Sequence, residues 1–261
     1  MTNLNIFNRK YWFLKIIILV AISFSFIGKP EKTHTLTNIE GMLSQHDESE
    51  YVVLLHGMFR SAIAMKPAET FLVDKGFKVI NMSYPSTKHN IETLVQDHLA
   101  PQIKALENNG AKNIHFVTHS MGGILVRHYL KNNPMPTLGR VVMLSPPNKG
   151  TELTNLFSDT QWYKDKIGPS GKQLSPSLNS WVNQLGEVDF ELGVIAGNYN
   201  ENLLTSWLLP GPDDGVVSVE SMKVKGMADL LLVSEKHFNI RRFIPALQQS
   251  VYFIENGRFY Q

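Results

Sequence analysis

The hydrophobic pattern of this chain alternates between short apolar runs and longer segments with helical periodicity. The runs contain many Val, Ile and Leu residues and are separated by turn residues such as Gly, Asn and Pro. They lie at 51–55, 77–82, 114–118, 141–144, 192–196 and 230–233. Runs of this length, separated by helices, are typical of parallel strands that are covered on both faces. The pattern therefore predicts an α/β fold, a doubly wound and mostly parallel sheet with helices on both faces.

The alternation is interrupted between residues 148 and 189. This stretch contains several Gly and Pro residues and large aromatic residues that include Phe157, Trp162 and Trp181. Connections of this length are uncommon inside a compact domain and are usually lids or binding loops. Because the stretch leaves the end of a strand, where sites form in such sheets, we interpret 148–189 as a lid-like insertion. The alternative is a plain excursion that packs on the edge of the sheet.

The N-terminal segment differs from the rest of the chain. Arg9, Lys10 and Lys15 precede the apolar run 16–27. A basic stretch followed by a short apolar run is the pattern of a secretory signal peptide. The same run is a little short of the ~20 residues that span a bilayer, so a retained anchor is a second alternative. A buried helix of the domain is a third, which the lack of a polar face disfavours.

These features predict the domain organisation and the location of the protein. We expect residues 1–28 to be a signal peptide or an N-terminal membrane anchor, and residues 35–261 to form one domain that includes the insertion. Both N-terminal alternatives export the chain. The expected location is periplasmic, secreted or anchored to the membrane, with the domain outside the cytoplasm.

The composition excludes several kinds of reactive group, cofactor and partner. The absence of cysteine excludes disulfides, thiol nucleophiles and thiolate metal sites. The formal net charge is only +2, and the 25 Lys and Arg residues are scattered, so we expect no nucleic-acid partner. The chain has neither a phosphate-binding loop nor a dinucleotide fingerprint. His115 and His119 are four residues apart, but on a strand that spacing does not make a zinc pair as it would on a helix. We therefore expect no cofactor and no metal.

A candidate nucleophile follows the third apolar run. Residues 118–123 read THSMGG and open a helical segment at 124–131. A serine between a strand and a helix is held on a strained turn with its hydroxyl exposed at the carboxyl end of the sheet. The full motif is G-x-S-x-G, and Thr118 replaces its first glycine. A serine that only caps a helix and is followed by glycines would give a similar sequence. The strand-to-helix context favours Ser120 as a nucleophile.

The first apolar run ends in His56-Gly57-Met58, where a sharp turn can aim a backbone N–H at the serine. An oxyanion hole needs two such donors. We assign them to the amides of Met58 and Met121, the second of which begins a helix, where amide dipoles favour negative charge. We interpret His56 as a residue that packs the loop, because the general base of this arrangement comes from another loop.

A general base and an acid should follow the nucleophile in the order serine, acid, histidine. Downstream of residue 189 there is one histidine, His237, directly after the last apolar run. The turn at 210–215 precedes that run and supplies two carboxylates, Asp213 and Asp214. On the residues alone, both aspartates remain candidates for the group that orients the imidazole.

Taken together, these motifs resemble the bacterial lipases and esterases of the α/β-hydrolase superfamily, including membrane-linked deacylases with a His-Ser-Met-Gly core. The matching segments are 56–58, 119–123, 145–151, 214–217 and His237. They extend from about residue 50 to about residue 240, nearly the whole chain after the N-terminal segment. The resemblance implies that the acid is the aspartate of an Asp-Gly-hydrophobic turn, which selects Asp214. It also implies that the amide after His-Gly, that of Met58, is the first oxyanion donor.

We therefore expect a serine hydrolase that cleaves carboxylic esters, lipid-like or acyl esters, through Ser120, His237 and Asp214 and an acyl-enzyme. The aromatic residues of the insertion, with 203–204 and 207–209, either line an acyl pocket or belong to the core. The alternatives are a thioesterase, an amidase or an acyltransferase with the same triad. A hydrolase-fold binding module without catalysis is the alternative from another class.

Overall fold

The computed structural model describes residues 49–156 and 161–260. Within them, six strands form one sheet: β1 Glu50–Leu55, β2 Lys78–Met82, β3 Asn113–His119, β4 Leu138–Leu144, β5 Leu192–Gly197 and β6 Asp229–Val233. The order across the sheet is β2-β1-β3-β4-β5-β6, and every neighbouring pair is parallel. Each apolar run coincides with one strand. The predicted parallel sheet is confirmed.

Helices connect the strands: α1 Lys66–Asp74, α2 Ile91–Leu94, α3 Ala100–Asn108, α4 Met121–Asn132, α5 Leu153–Leu156, α6 Gln161–Lys172, α7 Leu203–Leu208, α8 Val219–Met222 and α9 Ile244–Asn256. A π-helical turn at Val95–Leu99 joins α2 to α3, so the chain is helical without a break from Ile91 to Asn108. Short 3-10 turns lie at Ala62–Met65, Asn183–Leu185 and Ile240–Arg242. The α/β alternation read from the sequence is thus present.

The sheet is buried on both faces. Successive side chains of a strand point to opposite faces, and β1 shows the consequence. Val52 and Leu54 pack with residues of α1 and α9, whereas Val53 and Leu55 pack with residues of α3 and α4. All four side chains are fully buried. The continuous apolar run exists because each strand residue faces a helix on one side or the other.

The strand order contains one reversal, between β1 and β3. The chain leaves β1 toward β2 on one side and leaves β3 toward β4 on the other side. In open α/β sheets, a crevice forms at the carboxyl ends of the two strands that flank such a reversal. The loop after β1 and the turn after β3 therefore border the crevice, and these segments carry the predicted oxyanion donors and nucleophile.

The stretch between β4 and β5 is attached to the loop that follows β2. The Ser170 hydroxyl donates to the carbonyl oxygen of Ser86 at 2.5 Å, and the Gln173 side chain accepts from the Ile91 amide at 2.7 Å. Gly168 has a φ of 64°, and a Cβ there would lie 1.6 Å from the carbonyl oxygen of Thr87. Only glycine allows this approach, so the contact holds α6 against the loop.

Two predictions concern residues that the structure does not describe. The signal or anchor at 1–28 lies outside the described residues, as does Phe157. Among residues 49–156 and 161–260, we find no helix that has both the length and the apolar character needed to span a bilayer.

Candidate active site

Ser120 lies on a strained turn between β3 and α4. Its backbone has φ 56° and ψ −129°, a conformation that costs a non-glycine residue about 1–3 kcal/mol. Gly122 makes the turn possible, because a Cβ there would lie 2.6 Å from the carbonyl oxygen of Leu55. A Cβ on Gly123 would lie 2.8 Å from the sulfur of Met143. The two glycines therefore let α4 start directly against the sheet, with Ser120 at its tip.

The structure brings Ser120, His237 and Asp214 into contact. The His237 Nε2 atom lies 3.0 Å from the Ser120 Oγ atom, and the His237 Nδ1 atom lies 2.7 Å from Asp214 Oδ2. The His237 amide also donates to the carbonyl oxygen of Asp214 at 2.9 Å. His237 and Asp214 are each 2% exposed. Three residues that are far apart in the sequence thus form a connected relay, in which the imidazole and the carboxylate are buried and Ser120 is partly exposed.

The turn before β6 gives its two aspartates different partners. Asp214 accepts the amides of Val216 at 3.0 Å and Val217 at 2.8 Å on Oδ1, which leaves Oδ2 for His237. Asp213 instead accepts from the Asn200 side chain at 2.6 Å and from the Gly215 amide at 2.8 Å. Burial raises the pKa of the Asp213 carboxyl above its usual value. Asp214 therefore faces the imidazole, and Asp213 shapes the turn.

The hydrogen-bond pattern assigns the protons of the relay. An ionised carboxylate only accepts hydrogen bonds, so the Nδ1–H of His237 donates to Asp214. The Nε2 atom of the neutral ring then carries a lone pair and accepts from the Ser120 hydroxyl. This arrangement is one in which an imidazole can take the proton of a serine hydroxyl.

The loop after β1 lies directly against Ser120. A Cβ on Gly57 would lie 2.9 Å from the Cβ of Ser120. Met58 is the next residue in this loop, and Met121 is the first residue of α4, where amides lack intrahelical partners. The two amides assigned to the oxyanion hole are thus on the two segments that flank Ser120. Both predicted donors therefore belong to residues close to Ser120 in the fold.

His56 holds the loop in place rather than contacting the relay. Its Nδ1 atom donates to the carbonyl oxygen of Gly57 at 2.8 Å, and its Nε2 atom accepts the Tyr84 amide at 3.3 Å. The ring stacks on that of Tyr84 at 4.1 Å, and the Tyr84 hydroxyl donates to the His56 carbonyl oxygen. Burial lowers the pKa of His56, which keeps the ring neutral.

His119 contacts the loop that carries His237, a role that sequence reasoning missed, since only its position next to Ser120 pointed to the site. Its Nε2 atom lies 2.8 Å from the carbonyl oxygen of His237, so the ring supports the loop that carries the base. Its Nδ1 atom is buried without a hydrogen-bond partner among the described residues. Burial, followed by the nearby charges of His237 and Arg241, lowers the pKa of His119 well below its usual value. A neutral, buried histidine thus lies directly behind the relay.

The apolar residues considered for an acyl pocket have different surroundings. Trp181 packs against the core, and its indole N–H donates to Glu92 at 2.5 Å. Leu203 and Trp207 on α7 are 85% and 80% exposed. Leu209 is buried. Trp181 is therefore partly buried against the core, whereas α7 presents two large side chains to solvent.

Comparisons with known proteins identify the type of fold. No protein-family model and no curated protein matches the chain. The mature lipase BlEst2 of Bacillus licheniformis is 16% identical, covers 81% of this chain and 93% of its own, and superposes with a TM-score of 0.60. The esterase Pf2001 of Pyrococcus furiosus is 18% identical, with 79% and 82% covered and a TM-score of 0.56. Phospholipase PlaB of Legionella pneumophila is 17% identical, with 80% and 59% covered and a TM-score of 0.60.

These likenesses define the class of fold. The single parallel six-stranded sheet with helices on both faces is the α/β-hydrolase fold of these lipases and esterases. The resemblance read from the motifs is thus confirmed for the fold. At identities of 16–18%, these comparisons support the fold alone.

Proposed function

We propose that this protein is a serine hydrolase that cleaves carboxylic esters through an acyl-enzyme. The observation that carries the proposal is the relay in which the Ser120 hydroxyl, the His237 imidazole and the Asp214 carboxylate are linked at 3.0 and 2.7 Å. The strained turn under Ser120 and the occurrence of the same fold in lipases and esterases support it. Such a relay at the crevice of an α/β sheet suits acyl transfer.

The acylation step follows from this geometry. The Ser120 Oγ atom attacks the carbonyl carbon of the ester while His237 Nε2 takes the hydroxyl proton. Negative charge moves to the carbonyl oxygen, where the amides of Met58 and Met121 donate hydrogen bonds. Asp214 stabilises the imidazolium. When the tetrahedral intermediate collapses, His237 gives its proton to the departing alcohol, and the acyl group remains on Ser120.

Water completes the cycle. His237, neutral again, takes a proton from a water molecule that attacks the acyl carbon. The second intermediate collapses with return of the proton to Ser120 Oγ, and the carboxylic acid leaves. The same residues thus act in both halves, with Asp214 holding the ring orientation throughout. We propose lipid-like or acyl esters as substrates, because pockets at such sites are mostly apolar.

The decisive experiment compares the wild type with Ser120→Ala on p-nitrophenyl esters of increasing acyl length. We expect Ser120→Ala to lower turnover at least about 10⁴-fold, because removing a nucleophile leaves only residual catalysis. Equal thermal unfolding of both proteins is the control for folding. Labelling with a fluorophosphonate probe, which requires an activated serine, separates an enzyme from a binding module. Wild-type rates from Ser120→Ala would contradict the proposal.

We also propose that the protein acts outside the cytoplasm, either released or held at the membrane by residues 1–28. The basic residues followed by an apolar run support this location. Fractionation of expressing cells, combined with determination of the mature N-terminus, tests it. A full-length chain in the cytoplasmic fraction would contradict it.

A further inference from the structure

A groove of about 580 Å³ lies beside the predicted oxyanion loop. Three segments build it: the turn after β1, the loop after β2 and α6. Its lining residues are Phe59, Thr87, Lys88, Lys166, Gly168, Pro169 and Lys172. The volume is in the range that small-molecule sites occupy. Because both loops follow strand ends at the crevice edge of the sheet, the groove and the relay are on the same side of the molecule.

The groove is structurally continuous with the nucleophile. Phe59 in its lining directly follows Met58, and the left-handed φ of 60° at Phe59 turns the chain there. The Met58 side chain faces α6, because a Cβ on Gly171 would lie 3.0 Å from Met58 Cε. Gly57 on the other side of Met58 lies against Ser120. A molecule whose ester group is at Ser120 therefore has the groove within its reach.

The charge of the groove is its distinctive property. Lys88, Lys166 and Lys172 line it, and no carboxylate does among the described residues. In the part of the chain that the structure describes, none of these lysines has an acidic partner, whereas Lys149 and Lys236 each pair with a glutamate at 2.6 Å. Uncompensated charges of one sign in a concave site focus their potential and attract ions of the opposite sign.

We propose that this groove binds a phosphate group carried by the ester substrate. The proposal rests on ester hydrolysis at Ser120 and adds a substrate class to it: anionic, phosphate-bearing esters are preferred over neutral ones. The three ammonium groups act as point charges toward the phosphate oxygens. Phe59 and Pro169 supply apolar walls for the carbon atoms that connect the phosphate to the ester. The groove that binds the phosphate and the site that hydrolyses the ester are thus next to each other in one crevice.

A pair of esters with one acyl chain tests the preference. The substrates are butyryl-glycerol 3-phosphate and monobutyrylglycerol, compared for the wild type and for the triple variant Lys88→Gln, Lys166→Gln, Lys172→Gln. We expect the KM for the phosphate ester to rise about tenfold in the variant, as exposed ion pairs contribute modestly but add up. The kcat for both esters and the KM for the neutral ester stay at the wild-type value. Added salt raises only the wild-type KM for the phosphate ester.

A charge-matched control separates the groove from the overall charge of the protein. Lys78→Gln, Lys104→Gln and Lys225→Gln remove the same charge from exposed positions outside the groove lining. This control should retain the wild-type KM for both esters. An equal rise in the two triple variants, or an unchanged KM in the groove variant, overturns the proposal.

A binding measurement keeps the test independent of turnover. Calorimetry of Ser120→Ala with glycerol 3-phosphate, glycerol and inorganic phosphate asks whether the groove takes a phosphate without catalysis. We expect glycerol 3-phosphate to bind more tightly than inorganic phosphate and glycerol not to bind, and we expect this binding to be lost when the three groove lysines are changed to Gln. No binding, or equal binding of inorganic phosphate, overturns the substrate assignment. If the wild type hydrolyses neither ester, the proposed function fails, and this binding result still decides the groove.

Discussion

At the residue scale, the backbone of one turn gives two neighbouring aspartates, Asp213 and Asp214, different partners. Asp214 has one carboxylate oxygen held by two backbone amides and the other on His237. Asp213 has an asparagine and a glycine amide as partners. The difference comes from the direction in which the turn presents each side chain.

Exchange of each aspartate for asparagine measures this division. Asp214→Asn removes the acceptor that fixes the Nδ1–H tautomer of His237, so we expect kcat to fall by about 10³–10⁴-fold while the fold is kept. Asp213→Asn keeps the turn shape and leaves the relay intact, so kcat should change less than about tenfold. Ester turnover by the purified variants is the measurement. A larger loss from Asp213→Asn would reverse the assignment.

The sequence could predict the relay residues but not all of their support. Ser120 and His237 follow strand ends that the apolar runs identify, so their position at one edge of the sheet followed from the parallel topology. The resemblance selected Asp214, because spacing alone does not tell which of two adjacent side chains faces the ring. The contact from His119 to the His237 carbonyl oxygen could not be predicted, because it depends on the path of a loop 118 residues away.

At the element scale, the position of α4 depends on a glycine. The carbonyl oxygens of Leu55 and His56 would lie 2.6 and 2.9 Å from a Cβ on Gly122. The end of β1 and the first turn of α4 are therefore in backbone contact. Since that contact also orients the loop with Met58, one glycine positions both sides of the crevice.

Alanine at this glycine should damage both stability and catalysis. We expect Gly122→Ala to push α4 away from β1, lowering the free energy of unfolding by about 2 kcal/mol, as overpacking does, and reducing kcat more than tenfold. Gly110→Ala is the matched control. Gly110 has a φ of 84° with open space around it, so alanine costs about 1 kcal/mol without moving the site. Denaturant unfolding and turnover per folded molecule separate the two effects; full activity in Gly122→Ala would contradict this account.

The insertion shows the limit of prediction for elements. Its unusual length and its position after a strand were evident from the sequence, yet its attachment was not. The Ser170 hydroxyl reaches Ser86, and the Gln173 side chain reaches Ile91, across more than 80 residues of chain. Local periodicity carries no information about such contacts. The lysine-lined groove could not be predicted from the sequence either, because three segments that are distant in the chain contribute to it.

At the scale of the whole molecule, buried neutral histidines link stability to pH. His56 and His119 lie inside the fold, and burial lowers the pKa of each below the usual value. In the unfolded chain these rings titrate near pH 6.5. Below that pH the unfolded state binds more protons than the folded state, so acid favours unfolding.

This difference in proton binding sets the direction in which the free energy of unfolding changes with pH. With respect to these groups, the free energy of unfolding should be constant above about pH 7.5 and should fall as the pH decreases through about 6.5. We expect the free energy of unfolding to fall between pH 7.5 and pH 5, in part through His119, because burial lowers the pKa of its ring and disfavours the protonated form in the fold. Urea unfolding at pH 7.5 and pH 5 measures it, with His119→Gln as the comparison. The same pH dependence in wild type and His119→Gln would exclude this histidine as the cause.

The strained turn at Ser120 has a practical consequence for engineering. Glycine adopts a positive φ without the penalty that a side chain brings, so replacing the nucleophile by glycine relieves the turn. Protein variants chosen for heat resistance alone would therefore tend to include ones that have lost the reactive hydroxyl. Directed evolution of this protein calls for a paired screen, in which each thermostable clone is retained only after its turnover has been measured.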